Sequence, residues 1–280
     1  MSVVHLLTGE SMPKPDPETH LLTAELTQQG VRHRVLRWTD PAVGDGADLV
    51  VVRTPWDYIH RHQEFLDVCS AADAPVLNPP DVLAWNSHKG YLVELADAGV
   101  PVVPTRLVRA GVVAALEPTE AATALVVKPA VSSGSRGAGR FEAGDPAAEL
   151  HLAGLVAGGD ALVQPYVASV AEGGERSLIF FGGRFSHAVN KVPAAGDYRV
   201  QEMYGGRYRT HTPTEAELTA AASALAAAPA AGLLYARVDL VDGDGGPQVM
   251  ELELIEPELF LGFDANAPRR LAEGITGAIA

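Results

Sequence analysis

The sequence contains a single cysteine, Cys69, in 280 residues. One cysteine cannot form an internal disulfide, so the chain suits a reducing compartment. The sequence also lacks an apolar run of the roughly 20 residues that a membrane-spanning helix needs. Its first residues, MSVVHLLTGESMPKPD, lack the basic region and the apolar core of a signal peptide. We therefore expect a cytoplasmic protein with no membrane partner.

Positive charge is scarce. The 21 Lys and Arg residues are outnumbered by 35 Asp and Glu residues, which gives a formal net charge of −14. Such an acidic chain disfavours a nucleic-acid partner, although a local basic pocket remains compatible with it. The length is enough for two or three lobes with a full core. The sequence leaves the oligomeric state open, and a homodimer would be ordinary.

The first 80 residues or so predict a small parallel α/β lobe, because short apolar strands alternate with helices. From about residue 105 onward, the pattern changes to antiparallel strands with helices packed on them, an α+β arrangement. Between the two, the pattern predicts one helix that ends at Gly99 and then a strand. The main predicted elements are strands at 3–7, 31–38, 48–53, 101–104, 124–129 and 161–167, helices at 61–72 and from a Thr212–Glu215 capping box to Ala228, and hairpins over 176–191 and 233–254.

An acidic strand stands out near the end of the chain. Residues Val249 to Leu254 alternate strictly between apolar and polar, so Glu251 and Glu253 point to the same side of a strand, roughly 6–7 Å apart. At an effective dielectric near 20, they repel each other by about 2–3 kcal/mol. Asp239 lies across the predicted hairpin. Three converging carboxylates suit Mg²⁺, and the alternative is an exposed acidic strand.

A loop rich in glycine and serine, KPAVSSGSRGAGRF (128–141), follows an apolar strand that ends in Lys128. Glycines let backbone N–H groups approach an anion, and serine hydroxyls and a lysine add donors and charge. The loop is neither a Walker A motif nor G-x-G-x-x-G. The alternative is a flexible surface loop. The candidate phosphate ligands in it are Lys128, Ser132, Ser133, Gly134 and Ser135.

Three other patterns resemble sites but favour structural roles. The run from Asp242 resembles an EF-hand loop, but Pro247 stands where glycine is required, so we predict a turn. His60-Arg61-His62 has no acidic or cysteine partner nearby and fits a solvated helix start. Cys69 lies on an apolar helical face and fits the core rather than a nucleophile.

Basic residues and a first-lobe motif complete the candidate site. Any single basic residue is more often a surface cation, but together they would line a polyphosphate cleft: Lys89, Arg176, Lys191, Arg199 and Arg237. The segment RTPWDYIHR follows a buried strand, where open α/β sheets bind ligands. Arg53, Trp56, Asp57 and Tyr58 are therefore candidate substrate ligands, Lys14 is a weaker one, and plain packing is the alternative for Trp56.

In this order, the segments RTPWDY, LNPPDVLAWNSHKGYL, KPAVSSGS, GERSLIFFGGRFSHAVNK and MELELIEPELF resemble the ATP-grasp ligases. The resemblance is greatest to the branch that contains O-ureido-D-serine cyclo-ligase, and it is weaker over residues 1–50. It implies an ATP-grasp fold in which a Rossmann-like substrate lobe (1–85) precedes two α+β lobes (86–168 and 169–280) that clasp ATP.

The resemblance also implies roles for individual residues. Lys89 and Lys128 would hold ATP phosphates beneath the 132–139 flap, while Gln164, Tyr166 and Val167 would contact adenine. Glu172 or Glu175 would bind the ribose. Asp239, Glu251 and Glu253 match the magnesium ligands, although many relatives carry asparagine where Glu253 stands. The residues that match positions holding the transferred phosphate or the substrate carboxylate are Arg176, Lys191, Arg199 and Arg237.

The implied activity is an ATP- and Mg²⁺-dependent ligase. It would activate a small amino-acid-like carboxylate as an acylphosphate and then form a C–N bond, in a cyclic or an intermolecular product. Two alternatives remain at this point: an ATP-binding regulatory protein of the same fold without turnover, and a kinase that leaves a stable phosphoester.

Overall fold

The computed structural model describes residues 2–11, 16–113, 115–121, 123–229 and 232–279. Its first sheet is parallel, in the order β2-β1-β3-β4, with β1 (Val3–Thr8), β2 (Arg32–Arg37), β3 (Leu49–Thr54) and β4 (Val76–Leu77). Helices α1 (Thr19–Gln28) and α2 (His62–Ala71) accompany it. The apolar run of β3 is buried along its whole length, as expected of a strand covered on both faces. The predicted α/β lobe is confirmed.

The predicted helix ends just before Gly99 as expected, but its continuity was predicted wrongly, because the chain breaks it into α3 (Pro80–Ser87) and α4 (Tyr91–Asp97). His88 takes an extended backbone, and its ring Nδ1 accepts the Gly90 N–H at 3.2 Å. The predicted strand at 101–104 is also wrong, since only Val102 forms a bridge, to Val249. The break matters for the site because it leaves Lys89 in the turn between the helices.

The second sheet is antiparallel, in the order β5-β8-β6-β7. It contains β5 (Arg106–Val108), β6 (Leu125–Pro129), β7 (Gly139–Phe141) and β8 (Ala161–Pro165), with α5 (Pro118–Ala121) and α6 (Ala147–Val156). Val127, Leu152 and Val163 are among the residues of its own small core. The strands predicted at 124–129 and 161–167 are confirmed, whereas β5, β7 and α6 had no clear sequence signal.

The third sheet is also antiparallel, in the order β11-β10-β9-β12-β13. Its strands are β9 (Glu175–Phe181), β10 (Arg184–Val192), β11 (Arg207–His211), β12 (Tyr235–Gly243) and β13 (Gly246–Glu253), accompanied by α7 (Ser169–Gly173) and α8 (Glu215–Ala227). Both predicted hairpins are confirmed. Gly182 and Gly183 have φ angles of 55° and 75°, which glycine adopts without strain.

The helix after β11 begins two residues later than the capping box we predicted. Thr214, not Thr212, is the N-cap, and its hydroxyl accepts the Glu217 N–H while the Glu217 carboxylate accepts the Thr214 N–H at 2.7 Å. Glu215 is the first helical residue, so Pro213 precedes the cap.

The last helix, α9 (Ala267–Ile279), packs against α1. Leu22 and Leu26 of α1 share one core with Leu271 and Ile275 of α9, and the Thr276 hydroxyl donates to Gln29 Oε1 at 2.7 Å. The first and third sheets therefore share apolar packing. None of the helices in the described ranges is long and apolar enough to cross a membrane.

Candidate active site

A cavity of about 300 Å³ lies where the three sheets meet. It collects most of the candidate residues from segments far apart in sequence. From the first lobe come Trp56 and Tyr58, and from the rest of the chain Lys89, Lys128, Ser132, Ser133, Gly134, Ser135, Gln164, Tyr166, Val167, Glu175, Lys191, Arg199, Arg237, Asp239, Glu251 and Glu253.

Asp239 is at the centre of a buried charge cluster. In the hairpin register it lies opposite Glu251, and Arg237 lies opposite Glu253. Arg237 donates to both carboxylate oxygens of Asp239, at 3.0 and 2.9 Å, and Lys191 Nζ lies 3.0 Å from Asp239 Oδ2. Burial alone would raise the pKa of Asp239, but Arg237 and Lys191 lower it well below the usual range. Asp239 is therefore held ionised.

Glu251 forms a second ion pair, with Lys89. The Lys89 ammonium lies 2.7 Å from Glu251 Oε1 and also donates to the Ser132 carbonyl at 2.8 Å. Burial opposes the charge of Lys89, but Glu251 raises its pKa above the ordinary value. Lys128 lines the same cavity, and burial lowers its pKa although Glu251 opposes that shift. Within the described ranges, Lys128 has no ion-pair partner.

The acidic residues are not gathered into a metal-ligand set. In the part of the chain that the structure describes, no three His, Cys, Asp or Glu side chains converge on one point. Instead, Glu251 pairs with Lys89, and Arg237 bridges Asp239 and Glu253. Burial and the charge of Glu251 nevertheless raise the pKa of Glu253 to about 7, despite Arg237. The donors are hard carboxylate oxygens, the ligand type that Mg²⁺ prefers, and in this structure each carboxylate is paired with a lysine or an arginine. The predicted magnesium site remains a prediction.

The glycine-serine loop lines the cavity, and we call residues 132–139 the flap. Gly134 and Ser135 both have positive φ, at 62° and 60°. The flap is held from the loop after β10: Gln201 Nε2 donates to the Ser135 hydroxyl at 2.9 Å, and the Tyr198 hydroxyl donates to the Ala138 carbonyl at 3.1 Å. These contacts fold the flap over the lysines.

The predicted adenine ligands lie on and directly after β8, and the ribose candidates lie on α7 and at the start of β9. Gln164 is buried, and its amide donates to the Thr105 hydroxyl at 2.8 Å. Tyr166 lies under the Arg140 guanidinium, 4.0 Å from the ring centroid. Glu175 lines the cavity and pairs with Lys191, whereas Glu172 is exposed on α7 and does not line it. Of the two ribose candidates, the position favours Glu175.

The first-lobe candidates separate into two groups. Trp56 and Tyr58 line the cavity, and Trp56 Nε1 donates to the Glu256 carbonyl at 3.0 Å. Arg53 and Asp57 do not line it. Asp57 instead accepts the indole N–H of Trp38 at 2.9 Å and two backbone N–H groups of the loop after β1. Lys14 lies outside the described residues.

Arg53 is buried inside the protein rather than presented to a substrate. Its Nη2 lies 3.4 Å from Glu18 Oε2, and the guanidinium packs over the Tyr235 ring. Glu18 in turn accepts the backbone N–H groups of Leu259 and Leu261, at 2.7 and 2.6 Å. The prediction that Arg53 is a substrate ligand is therefore not supported by its position. Through Glu18, Arg53 instead helps to hold the loop after β13.

The position of Arg176 also does not support its predicted contact with the transferred phosphate or the substrate carboxylate. Its Nε lies 2.8 Å from Glu217 Oε1, and its other nitrogens contact Asp242. On a strand, neighbouring side chains alternate, and it is Ser177 that reaches Asp239. Arg176 therefore faces α8. Arg199 does line the cavity, held by Asp197 at 2.8 Å and stacked 3.7 Å from the Tyr204 ring centroid.

The patterns that we assigned to structural roles behave as expected. Cys69 packs in the core of the first lobe, and burial raises the pKa of its thiol to about 12. The EF-hand-like segment is the β12–β13 turn. His60 and Arg61 are exposed.

Several cavity residues were missed. Glu256 lies in the loop after β13, beyond the alternating pattern that drew attention to Glu251 and Glu253. Tyr198, Gln201 and Tyr204 lie in a loop without regular periodicity, where only the aromatic content could have suggested a role. Asn86 was missed as well. Its side-chain amide donates to the Leu252 carbonyl at 2.8 Å and accepts the Leu254 N–H, and so fixes the strand that carries the glutamates.

Two family models match the chain. Residues 4–78 match the N-terminal domain of D-cycloserine synthetase DcsG, and residues 99–259 match the ATP-grasp domain of prokaryotic glutathione synthetase. The cycloserine biosynthesis protein DcsG of Streptomyces lavendulae is 36% identical, with 98% of each chain covered. A glutathione synthetase of Xylella fastidiosa is 23% identical over 86% of this chain and 76% of its own.

Comparison with solved structures leads to the same family. The crystal structure of D-cycloserine synthetase DcsG superposes with a TM-score of 0.88 at 31% identity, with both chains fully covered. A D-alanine–D-alanine ligase from Bacillus anthracis complexed with ATP has a TM-score of 0.69 at 14% identity, covering all of this chain and 97% of that one, and so supports the fold. The chain thus belongs to the ATP-grasp ligases, in the branch with a DcsG-type N-terminal domain, and is an ATP-dependent enzyme that forms C–N bonds in secondary metabolism.

Proposed function

We propose that this enzyme is a cyclo-ligase that closes a small amino-acid-derived carboxylate onto a nitrogen in the same molecule, with release of ADP and phosphate. The main observation behind this proposal is that one cavity is lined by Trp56 and Tyr58 of the first lobe and also by Lys89, Lys128 and the flap. The names of the relatives, a cycloserine biosynthesis protein and a D-cycloserine synthetase, support a cyclic amide of the cycloserine type as the product.

In this proposal ATP occupies the side of the cavity lined by the flap and β8. Lys89, Lys128 and the flap residues Ser132, Ser133, Gly134 and Ser135 bind its phosphates. Gln164, Tyr166 and Val167 contact the adenine, and Glu175 the ribose. Asp239, Glu251 and Glu253 would hold Mg²⁺, which neutralises charge on the phosphate oxygens when it is bound.

The chemistry needs positioning and positive charge rather than a protein nucleophile. A substrate carboxylate oxygen attacks the γ-phosphorus, so a C(O)O–P bond forms and the bond to the ADP oxygen breaks. The nitrogen then attacks the acyl carbon, phosphate leaves, and the nitrogen loses a proton. Lys191, Arg199 and Arg237 line the cavity and can stabilise the transferred phosphoryl group and the oxyanion.

The test is an ADP- and phosphate-release screen over amino acids and their ureido and hydroxamate derivatives, with mass spectrometry of the product. We expect turnover with one substrate class and a cyclic product. Lys128→Ala and Glu251→Gln should abolish it, whereas Arg269→Ala, on the exposed face of α9, should not. Nucleotide binding without turnover across the panel would favour a regulatory protein, and a stable phosphoester would favour a kinase.

A further inference from the structure

The loop that follows β13 places a carboxylate without a partner in the cavity. Glu256 lines it, and the loop is fixed there because Trp56 Nε1 donates to the Glu256 carbonyl at 3.0 Å. Glu175, Asp239, Glu251 and Glu253 each pair with a lysine or an arginine. By contrast, no side chain in the described ranges donates a hydrogen bond to the Glu256 carboxylate or forms an ion pair with it.

Tyr58 provides a second, independent observation. Its side chain is only 2% exposed, its ring packs against Phe65 and His62, and it lines the same cavity. Within the described residues, its hydroxyl has no hydrogen-bond partner. Because Tyr58 lines the cavity, this hydroxyl is available to a ligand that binds there. Tyr58 and Glu256 line the same cavity, and Trp56, two residues before Tyr58, holds the Glu256 carbonyl.

The charges around the cavity differ between its two ends. Lys89, Lys128 and Lys191 lie towards the flap and β10, where the phosphates are proposed to bind. The end next to Trp56 and Tyr58 carries Glu256. Burial and the charge of Glu253 raise the pKa of Glu256 to about 8, although the charges of Lys89 and Arg237 oppose that shift. A ligand that brings a positive charge there would hold the carboxylate ionised.

We infer that Glu256, together with the Tyr58 hydroxyl, binds the free ammonium group of the substrate, so that the enzyme selects amino-acid carboxylates over analogues without the amino group. This inference rests on the proposed function and deepens it. An ammonium has three N–H donors, and a carboxylate and a phenol oxygen can both accept from it. The substrate carboxylate would then point towards the lysines, with its ammonium towards the first lobe.

The test compares two ligands that differ only in this group: O-ureido-D-serine and 3-(ureidooxy)propanoate. Steady-state kinetics with both gives the discrimination as a ratio of kcat/KM. We expect the unaltered enzyme to prefer the amino compound by about 100-fold, the order expected for a desolvated charge pair. Glu256→Gln should raise the KM for the amino compound by a similar factor and leave the KM for ATP unchanged. The preference for the amino compound should then fall to a few-fold. Tyr58→Phe should reduce the preference for the amino compound by about 5-fold.

Glu273→Gln, which removes the same charge from the exposed side of α9, is the matched control and should keep the full preference. A Glu256→Gln enzyme that loses kcat but keeps both KM and the preference would make Glu256 a proton acceptor and overturn the inference. A raised requirement for Mg²⁺ or ATP would overturn it in favour of a nucleotide-site role.

Calorimetry separates this inference from the proposed function. The two ligands are titrated into the protein in the presence of a non-hydrolysable ATP analogue, so no turnover is needed. Tighter binding of the amino compound that Glu256→Gln abolishes supports the ammonium site even if the reaction proves different. Equal binding of both compounds overturns the site, even where ATP-dependent cyclisation is observed.

Discussion

At the residue scale, the cavity contains two kinds of carboxylate. Asp239 and Glu251 are neutralised by close cations, whereas burial raises the pKa of Glu256 from 4.5 in the unfolded chain to about 8. Between those pH values the unfolded chain releases a proton that the folded protein retains. The contribution of Glu256 to stability is therefore present below pH 4.5 and is lost as the pH rises towards 8.

We accordingly predict that Glu256→Gln stabilises the ligand-free protein at pH 8, by about 1–3 kcal/mol, because glutamine cannot ionise. The gain should shrink towards zero near pH 4.5. Thermal unfolding at both pH values, without nucleotide, measures it. Glu273→Gln should show no such trend. A Tm difference that is the same at both pH values would contradict the prediction.

Arg176 illustrates how a plausible site cation can be structural. It is buried beside Glu217 and Asp242, so truncation would remove the arginine partner of the buried Glu217, which also contacts His211. We predict that Arg176→Ala lowers the free energy of unfolding by about 3 kcal/mol. The affinity of the folded protein for ATP should be unchanged. Urea unfolding and nucleotide titration measure the two effects, and weaker ATP binding with intact stability would restore the phosphate role.

At the element scale, the flap depends on the loop after β10. Gln201 and Tyr198 hold Ser135 and Ala138, and Lys89 holds Ser132. The flap is thus fastened to the loop after β10 and to the turn between α3 and α4 before any nucleotide is bound.

We predict that Gln201→Ala raises the KM for ATP by about 2- to 10-fold, the value of one hydrogen bond. It should also speed tryptic cleavage after Arg136 in the ligand-free protein, because the flap loses a fastening point. Saturating ATP should slow that cleavage again. Kinetics and timed proteolysis provide the measurements, and a cleavage rate equal to that of the unaltered protein would refute the role of Gln201.

The elements that the sequence predicted are those with strong local signals. The Gly182-Gly183 turn and the alternation from Val249 identified both hairpins, and with them the juxtaposition of Asp239 and Glu251. The break at His88 was invisible, because apolar spacing continues across it. Strands of three residues such as β5 and β7 are too short to show a period.

Side-chain direction limited the site prediction in the same way. The sequence placed Arg53 and Arg176 on the correct strands, but the surroundings of each strand face come from distant segments: Glu18 for one, Glu217 for the other. Glu256 was missed because its position depends on a loop fixed by Trp56, about 200 residues away along the chain.

At the scale of the whole molecule, Asn78 links the first lobe to the third. It is fully buried, its Nδ2 donates to the carbonyls of Tyr235 and Leu254 at 3.0 and 2.7 Å, and its Oδ1 accepts the Leu234 N–H at 2.8 Å. One side chain therefore forms hydrogen bonds with backbone groups at the ends of both strands of the β12–β13 hairpin.

We predict that Asn78→Ala destabilises the protein by about 2–4 kcal/mol, since it leaves buried backbone groups unpaired. Unfolding should remain a single transition, because the first and third lobes share one core. Urea unfolding followed by fluorescence and circular dichroism tests both points. Two separate transitions in the unaltered protein would show that the lobes unfold independently.

The packing of α9 on α1 has a mechanical consequence. Helices α1 and α9 share one apolar core with the first and third sheets, and we expect this part of the protein to stay rigid. The sheet of β5 to β8 rests largely on its own separate core. We therefore expect the β5–β8 sheet to be the part of the enzyme that shifts when ATP enters and ADP leaves.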